Sequence, residues 1–334
     1  MQIRHVSPVA YRTAPPAVSR VYRALESEFG LLAPPIALHA PSPDVLAASW
    51  VMLREAMIAP GSVGLAAKEA VAVAVSEHNS CPFCITVHSA MLNSLTVHGA
   101  SDPAPAIADH QAARDWARAN TARPGVSGRT DGPGPDHRPE LVAVAVLLHY
   151  LNRMAQIFLG PVPLPRGIPH QSLRVVMPVL SWLRRSAGPA ASPPGRSVGL
   201  LPAARVPSDL AWTAGGPSHL AEAFGRAAAV IDTAGERSVP APVRALVRAT
   251  LREWDGRPPG ISRAWVEPLL REVPSECRAH TRLALLVALA PYQVDGQMVA
   301  DVRAADAADS RLIDLVAWAS MAAAREAGAW MAAE

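Results

Sequence analysis

The sequence predicts an all-α protein, and three observations carry that expectation. Apolar residues recur at spacings of three and four in one segment after another, which gathers them on one face of a helix. Ala, Val and Leu supply most of the apolar content while aromatic residues are only 5%, a composition suited to closely packed helices. Nothing along the chain asks for a sheet.

The elements follow in order. Residues 17–29 and 44–58 have the spacing of amphipathic helices. Residues 65–78, LAAKEAVAVAVSEH, are apolar nearly all round and fit a buried helix or a buried strand; their length and alanine content favour helix. A Pro-rich turn from 101 leads into a helix ending near 120, the low-complexity stretch 122–140 is a loop, and a helix over 140–159 follows. Residues 160–208 are rich in Pro, Gly and Ser around a short helical island at 173–185, as an inter-domain connection would be. Helical patterns return at 218–235, 240–254, 261–273, 278–292 and 309–331.

At 334 residues the chain can bury one large core or two medium ones. The expected organisation is a first helical unit over 1–160, a connection over 161–208 and a second helical unit over 209–334. The two units echo each other. At an offset of 214, Lys68 falls on Arg282 and the apolar run Val71 to Val75 on Leu285 to Leu289. Glu69, Cys81, Cys84 and His88 fall instead on Leu283, Asp295, Met298 and Val302. A duplicated unit whose second copy kept its packing and lost its chemistry accounts for this pattern.

Composition also narrows the partners. The net charge is +3, yet the 31 basic residues include one lysine, Lys68, and scattered arginines with no basic run and no interleaved aromatics, so no nucleic-acid partner is expected. The N-terminal segment has no apolar signal core, and the longest apolar run, 141–151, is too short to span a bilayer, so no membrane partner is expected either. Three cysteines make no disulfide framework, and the expected compartment is the cytoplasm.

The chemistry concentrates at 76–92, SEHNSCPFCITVHSAML. Asn79 or Ser80 can cap a helix, and Pro82 suits its first turn. Cysteines at a helix N-terminus meet unpaired N–H groups and the positive dipole end, which favour thiolate over thiol. Cys81 and Cys84, three residues apart, can bond across one turn, and His88 lies one turn further on that face, able to take or relay a thiol proton. Glu69 opens the apolar AVAVAV run, where an unpartnered carboxylate is costly. Either Lys68 or a helix end satisfies it, or it faces the Cys/His cluster; Glu77 is the rival carboxylate.

Two other readings of these residues stand beside a redox pair. His78, Cys81, Cys84 and His88 could hold zinc, although four ligands within eleven residues strain a tetrahedron. The thiols could also be plain core residues, which leaves Glu69 and His88 as coincidences. Elsewhere, His149, Asn152, Arg153 and Gln156 form a polar stripe on an apolar helix, expected to be a solvated or interface face, or else to face the cysteines. Cys277 has no partner pattern and is expected to be inert.

Glu69, Cys81, Cys84 and His88 together resemble the E-x11-C-x2-C-x3-H signature of the alkylhydroperoxidase D-like branch of the carboxymuconolactone decarboxylase superfamily. Residues 147–165 resemble the helix that follows this motif, so the good resemblance covers 45–165. It implies an all-α AhpD-like bundle without metal or other cofactor, reducing a hydroperoxide through a dithiol–disulfide cycle. Carried over, it makes Cys84 the attacking thiolate, Cys81 its resolving partner, and His88 with Glu69 the proton relay. The residues alone leave the order of the cysteines open. Some members carry a histidine between the cysteines; here Phe83 stands there, which leaves the relay poorer in bases and gives weight to a redox-sensing or structural module. The implied partners are a hydroperoxide, a thiol or dithiol reductant, and further copies of the chain in a homo-oligomer.

Overall fold

The computed structural model describes residues 3–97, 109–123, 134–160 and 193–333. The turn from 101, the middle of the loop 122–140, most of the connection 161–208 and the island at 173–185 lie outside the described residues. Within them every regular element is helical, and the nearest approach to a sheet is one antiparallel bridge between Ile3 and Leu159.

The first half holds α1 (Pro16–Phe29), α2 (Pro34–Ala37), α3 (Pro43–Leu53), α4 (Leu65–His78), α5 (Pro82–Val97), α6 (His110–Asn120) and α7 (Arg138–Phe158). The second holds α8 (Ser218–Ser238), α9 (Ala241–Glu253), α10 (Val266–Leu270), α11 (Arg278–Leu289), α12 (Gly296–Arg303) and α13 (Asp309–Ala332). Prolines mark several starts, where the missing N–H has no intrahelical partner to lose. In α1 the buried residues Val18, Val21, Tyr22 and Leu25 form one stripe, and the helix stops at Gly30 with φ of 83°, a left-handed cap that glycine takes without penalty. After Leu53 the chain continues as a π-helical turn over Arg54–Ile58, so the helix expected over 44–58 changes pitch partway.

The 261–273 segment shortens to the five residues of α10. Pro268 falls in its first turn, the one part of a helix that accepts proline, so the helix cannot begin much earlier than Val266. The sequence pattern also passed over α12. Its first residue, Gly296, stands 214 positions after Pro82, the first residue of α5, while α4 and α11 start within one residue of that same offset.

Helices α4 and α7 are buried on nearly every side, as the all-round apolar composition requires. Among the described residues α7 is the one helix long and apolar enough to cross a membrane, but 94% of that stretch is buried within the protein. It is the central element: α13 runs against it, and α4 and α5 pack on another side. The α7–α13 crossing is close, since a Cβ on Gly328 would stand 2.3 Å from Val146 Cγ2. Helix α8 meets α13 in the same way, with a Cβ at Gly235 falling 2.2 Å from the Trp318 ring.

One hydrophobic core runs through both halves, joining Trp50, Val144 and Phe158 to Phe224, Leu285 and Trp318. Buried polar ties reinforce the junction. Ser42 Oγ donates to Asp314 Oδ1 at 2.6 Å, Ser238 Oγ donates to Oδ2 at 2.9 Å, and Arg237 brackets the carboxylate. Glu55, fully enclosed, accepts from Arg54, from Ser197 Oγ and from the Gly195 and Ser197 amides.

Candidate active site

The site begins with how α4 ends. Ser80 adopts a left-handed φ of 51°; its N–H bonds Glu77 O at 3.1 Å and the Cys81 N–H reaches back to Ser76 O at 3.0 Å. These paired bonds form a Schellman closure, with serine in the position usually given to glycine. Holding a non-glycine residue there costs about 1 kcal/mol. The closure fixes Cys81, and α5 starts at the next residue, with Ile85 N–H returning to Cys81 O at 2.9 Å. The cap of α5 is therefore Cys81 itself, not Asn79 or Ser80, because those two residues are used in ending α4.

The two sulfurs share a hydrogen bond at 2.9 Å, and both cysteines are reduced and buried, with 1% and 4% exposure. Their titrations separate. The Cys81 thiol is lowered from the ordinary 9.0, first by the hydrogen bond from Cys84 and, against burial, by the backbone N–H groups of Cys84 and Phe83. Those donors are the first-turn amides of α5. Cys84 is pushed well above 9.0, mainly by burial and then by its bond to Cys81 and the charge there. The first proton thus leaves Cys81.

One turn beyond Cys84, His88 Nδ1 donates to Glu69 Oε2 at 2.7 Å. Glu69 is buried while the His88 side chain keeps 19% exposure. With Nδ1 engaged by the carboxylate, Nε2 is the nitrogen left to exchange a proton. Lys68 instead reaches Glu140 at 3.3 Å. The rival carboxylate, Glu77, bonds Arg114 at 2.6 Å and Arg118 at 2.8 Å on the α6 side. His78 Nε2 donates to Gly256 O at 3.0 Å, so the two histidines of the zinc alternative serve separate partners. Among the described residues no group of three or more His, Cys, Asp or Glu is arranged to hold a metal.

The α7 stripe is a correction to the sequence expectation. His149, Asn152 and Arg153 are buried, not solvated, and they grip the turn before Cys81. Asn79 Nδ2 meets His149 Nδ1 at 3.2 Å, Arg153 Nη1 reaches Asn79 Oδ1 at 3.4 Å, and Gln156 Nε2 donates to Asn79 O at 3.1 Å. Ser76 Oγ donates to Asn152 Oδ1 at 3.3 Å. A usable signal lay in α7 itself: polar residues on a helix apolar all round have no solvent to face and must find partners inside.

An all-α bundle with a dithiol on the first turn of one helix and a Glu–His pair bridging that helix to its neighbour defines a dithiol-bearing AhpD-like protein. A protein of Mycobacterium tuberculosis named alkyl hydroperoxide reductase Rv2159c is 36% identical over 338 residues, covering 99% of this chain and 95% of that protein. The chain therefore belongs to the alkylhydroperoxidase D-like family. No family model matches the sequence, and no solved structure matches it.

Proposed function

We propose that the protein is a thiol-dependent peroxidase that reduces hydroperoxides through a Cys81–Cys84 dithiol–disulfide cycle. The observation that carries this reading is the 2.9 Å separation of the two sulfurs at the start of α5, one turn from the bonded His88–Glu69 pair. The name of the mycobacterial relative, alkyl hydroperoxide reductase, supports the substrate class.

The family resemblance gives the attack to Cys84, and the proton balance is compatible with it. Cys81 is the thiol that gives up its proton more readily, and once it has done so a proton passing from Cys84 across the 2.9 Å between the sulfurs places the charge on Cys84. A thiolate of higher basicity is intrinsically the stronger nucleophile. Cys84 Sγ attacks one peroxide oxygen, the O–O bond breaks, and the departing alkoxide takes a proton relayed by His88, leaving a sulfenic acid. Cys81 Sγ then attacks Cys84 Sγ, and the sulfenic oxygen leaves as water. An external dithiol restores the pair by exchange and is itself oxidised to a disulfide. In sum, dithiol plus hydroperoxide gives disulfide, alcohol and water.

The test is consumption of an organic hydroperoxide by the full chain with a dithiol reductant. Cys84→Ser is expected to abolish turnover, and Cys81→Ser to leave one sulfenic acid per chain that a dimedone probe traps on Cys84. A trapped adduct on Cys81 in Cys84→Ser, with turnover retained, would reverse the order. Absence of turnover, with an oligomeric state that follows oxidation, would favour the sensing module, which the burial of both sulfurs also suits.

A further inference from the structure

Arg153 is buried to 2% exposure without a carboxylate partner. Its Nε donates to Ala288 O at 2.9 Å; its Nη1 donates to His149 O at 2.8 Å and approaches His149 Nδ1 and Asn79 Oδ1 at 3.3 and 3.4 Å. Nη2 has no protein partner among the described residues. Removing a guanidinium from water without a counter-charge costs several kcal/mol, and carbonyl dipoles offset only part of that. Other buried cations in this molecule are answered by acids: Arg54 by Glu55 and Lys68 by Glu140.

Arg153 lines a small cavity with His78, Asn79, Trp254, Pro291 and Tyr292, at the seam between the α4 end and the second half. Its volume of about 10 Å³ is room for one water-sized group. The Trp254 ring stands 5.9 Å from the guanidinium, and Tyr292 is 41% exposed at the rim. The titratable groups around it are basic or neutral. Burial, with the Arg153 charge behind it, pushes His78 down to about 4 and His149 well below its ordinary value.

We propose that this cavity is a binding site for one monatomic anion, a halide, held by Arg153 Nη2. The size excludes a phosphate or a carboxylate, and no acid is among the described residues that line the cavity, which leaves the counter-charge to come from outside. The site is separate from the dithiol, and its test reads binding without activity.

The experiment uses ¹⁵N-labelled full-length protein, whose eight tryptophans give a small set of indole signals, with Trp254 assigned through Trp254→Phe. Sodium formate, sodium acetate and sodium chloride are titrated separately, with sodium sulfate holding ionic strength constant. The expected result is a saturable shift of the Trp254 indole, weakened at least tenfold in Arg153→Lys, whose compact ammonium cannot replace Nη2. Response to chloride without response to formate or acetate is the expected result, and an equal saturable response to all three salts overturns the assignment to this cavity. No saturable shift of Trp254 in the wild-type chain overturns the proposal, as does an unchanged midpoint in Arg153→Lys. Should that variant not fold, the wild-type titration alone decides.

Discussion

Glu69 Oε2 and His88 Nδ1 are 2.7 Å apart, across the interface between α4 and α5, although 19 residues separate them in the chain. A buried carboxylate in this position fixes the tautomer and orientation of the ring. Glu69→Gln keeps the shape but removes the charge, and it is expected to lower peroxide turnover about 10²-fold, within the range of general acid–base contributions. Dithiol-coupled peroxide consumption checks this, and the pH dependence should flatten along with the loss. A variant that retains full turnover removes the pair from the mechanism.

The dithiol should show its asymmetry before any peroxide is added. Cys81, lowered from 9.0, is expected to alkylate faster than Cys84 at neutral pH, and its rate should level off at a pH below the ordinary thiol value. Mass spectrometry of iodoacetamide-treated protein after peptide digestion reads both sites. Cys84→Ala removes the hydrogen bond that does most to lower the Cys81 pKa, so the rate profile of Cys81 should move to higher pH.

Glu140 ties the loop before α4 to α7, accepting from Ser62 N–H and Oγ at 2.7 and 2.6 Å and pairing with Lys68. Burial works to raise its pKa, but the Lys68 charge and the Ser62 and Val63 donors outweigh it, and the group is held below 4.5. The sign follows: the depressed carboxylate stabilises the fold fully above its unfolded value and loses that contribution as pH falls through the folded one. Glu140→Gln is expected to cost about 3 kcal/mol near neutral pH, with the gap to wild type narrowing below pH 4.5. Urea midpoints across that window measure it.

Asp314 gathers Ser42, Ser238 and Arg237 at the junction of the two halves. Removing its carboxylate leaves buried hydroxyls unpaired, and Asp314→Ala should cost about 3 kcal/mol in urea unfolding. The Arg237 side chain is 36% exposed, so Arg237→Ala is expected to cost about 1 kcal/mol or less after solvent screening. Equal losses from the two variants would contradict this division.

Much of this arrangement was legible in the sequence. The apolar faces of α1 and α8 follow the helical period, and the full burial of α4 follows from AVAVAV. Glu69 stood out because an acid inside such a run needs a partner, and spacing placed His88 one turn beyond Cys84. Other features depend on the packed fold. That Cys81 closes α4 and opens α5 at once turns on the left-handed Ser80, which no residue preference announces. The burial of Arg153 depends on Ala288 and Trp254, brought in from the other half of the chain. Short α12 has too few residues to show a period, and only the offset from α5 reveals it.

That offset sets Cys81 beside Asp295 at matching helix starts. Asp295 Oδ1 accepts from the amides two and three residues on, those of Gln297 and Met298, the places that Phe83 and Cys84 hold relative to Cys81. Both helices thus begin with an acidic side chain against the same pair of N–H groups, a carboxylate in one and a thiol held below its ordinary pKa in the other. A carboxylate is indifferent to oxidants, whereas closing a disulfide erases the charge on sulfur. In the proposed cycle the first turn of α5 would lose and regain its charged anchor as the sulfur pair is oxidised and reduced, while its counterpart in α12 keeps its carboxylate in either state.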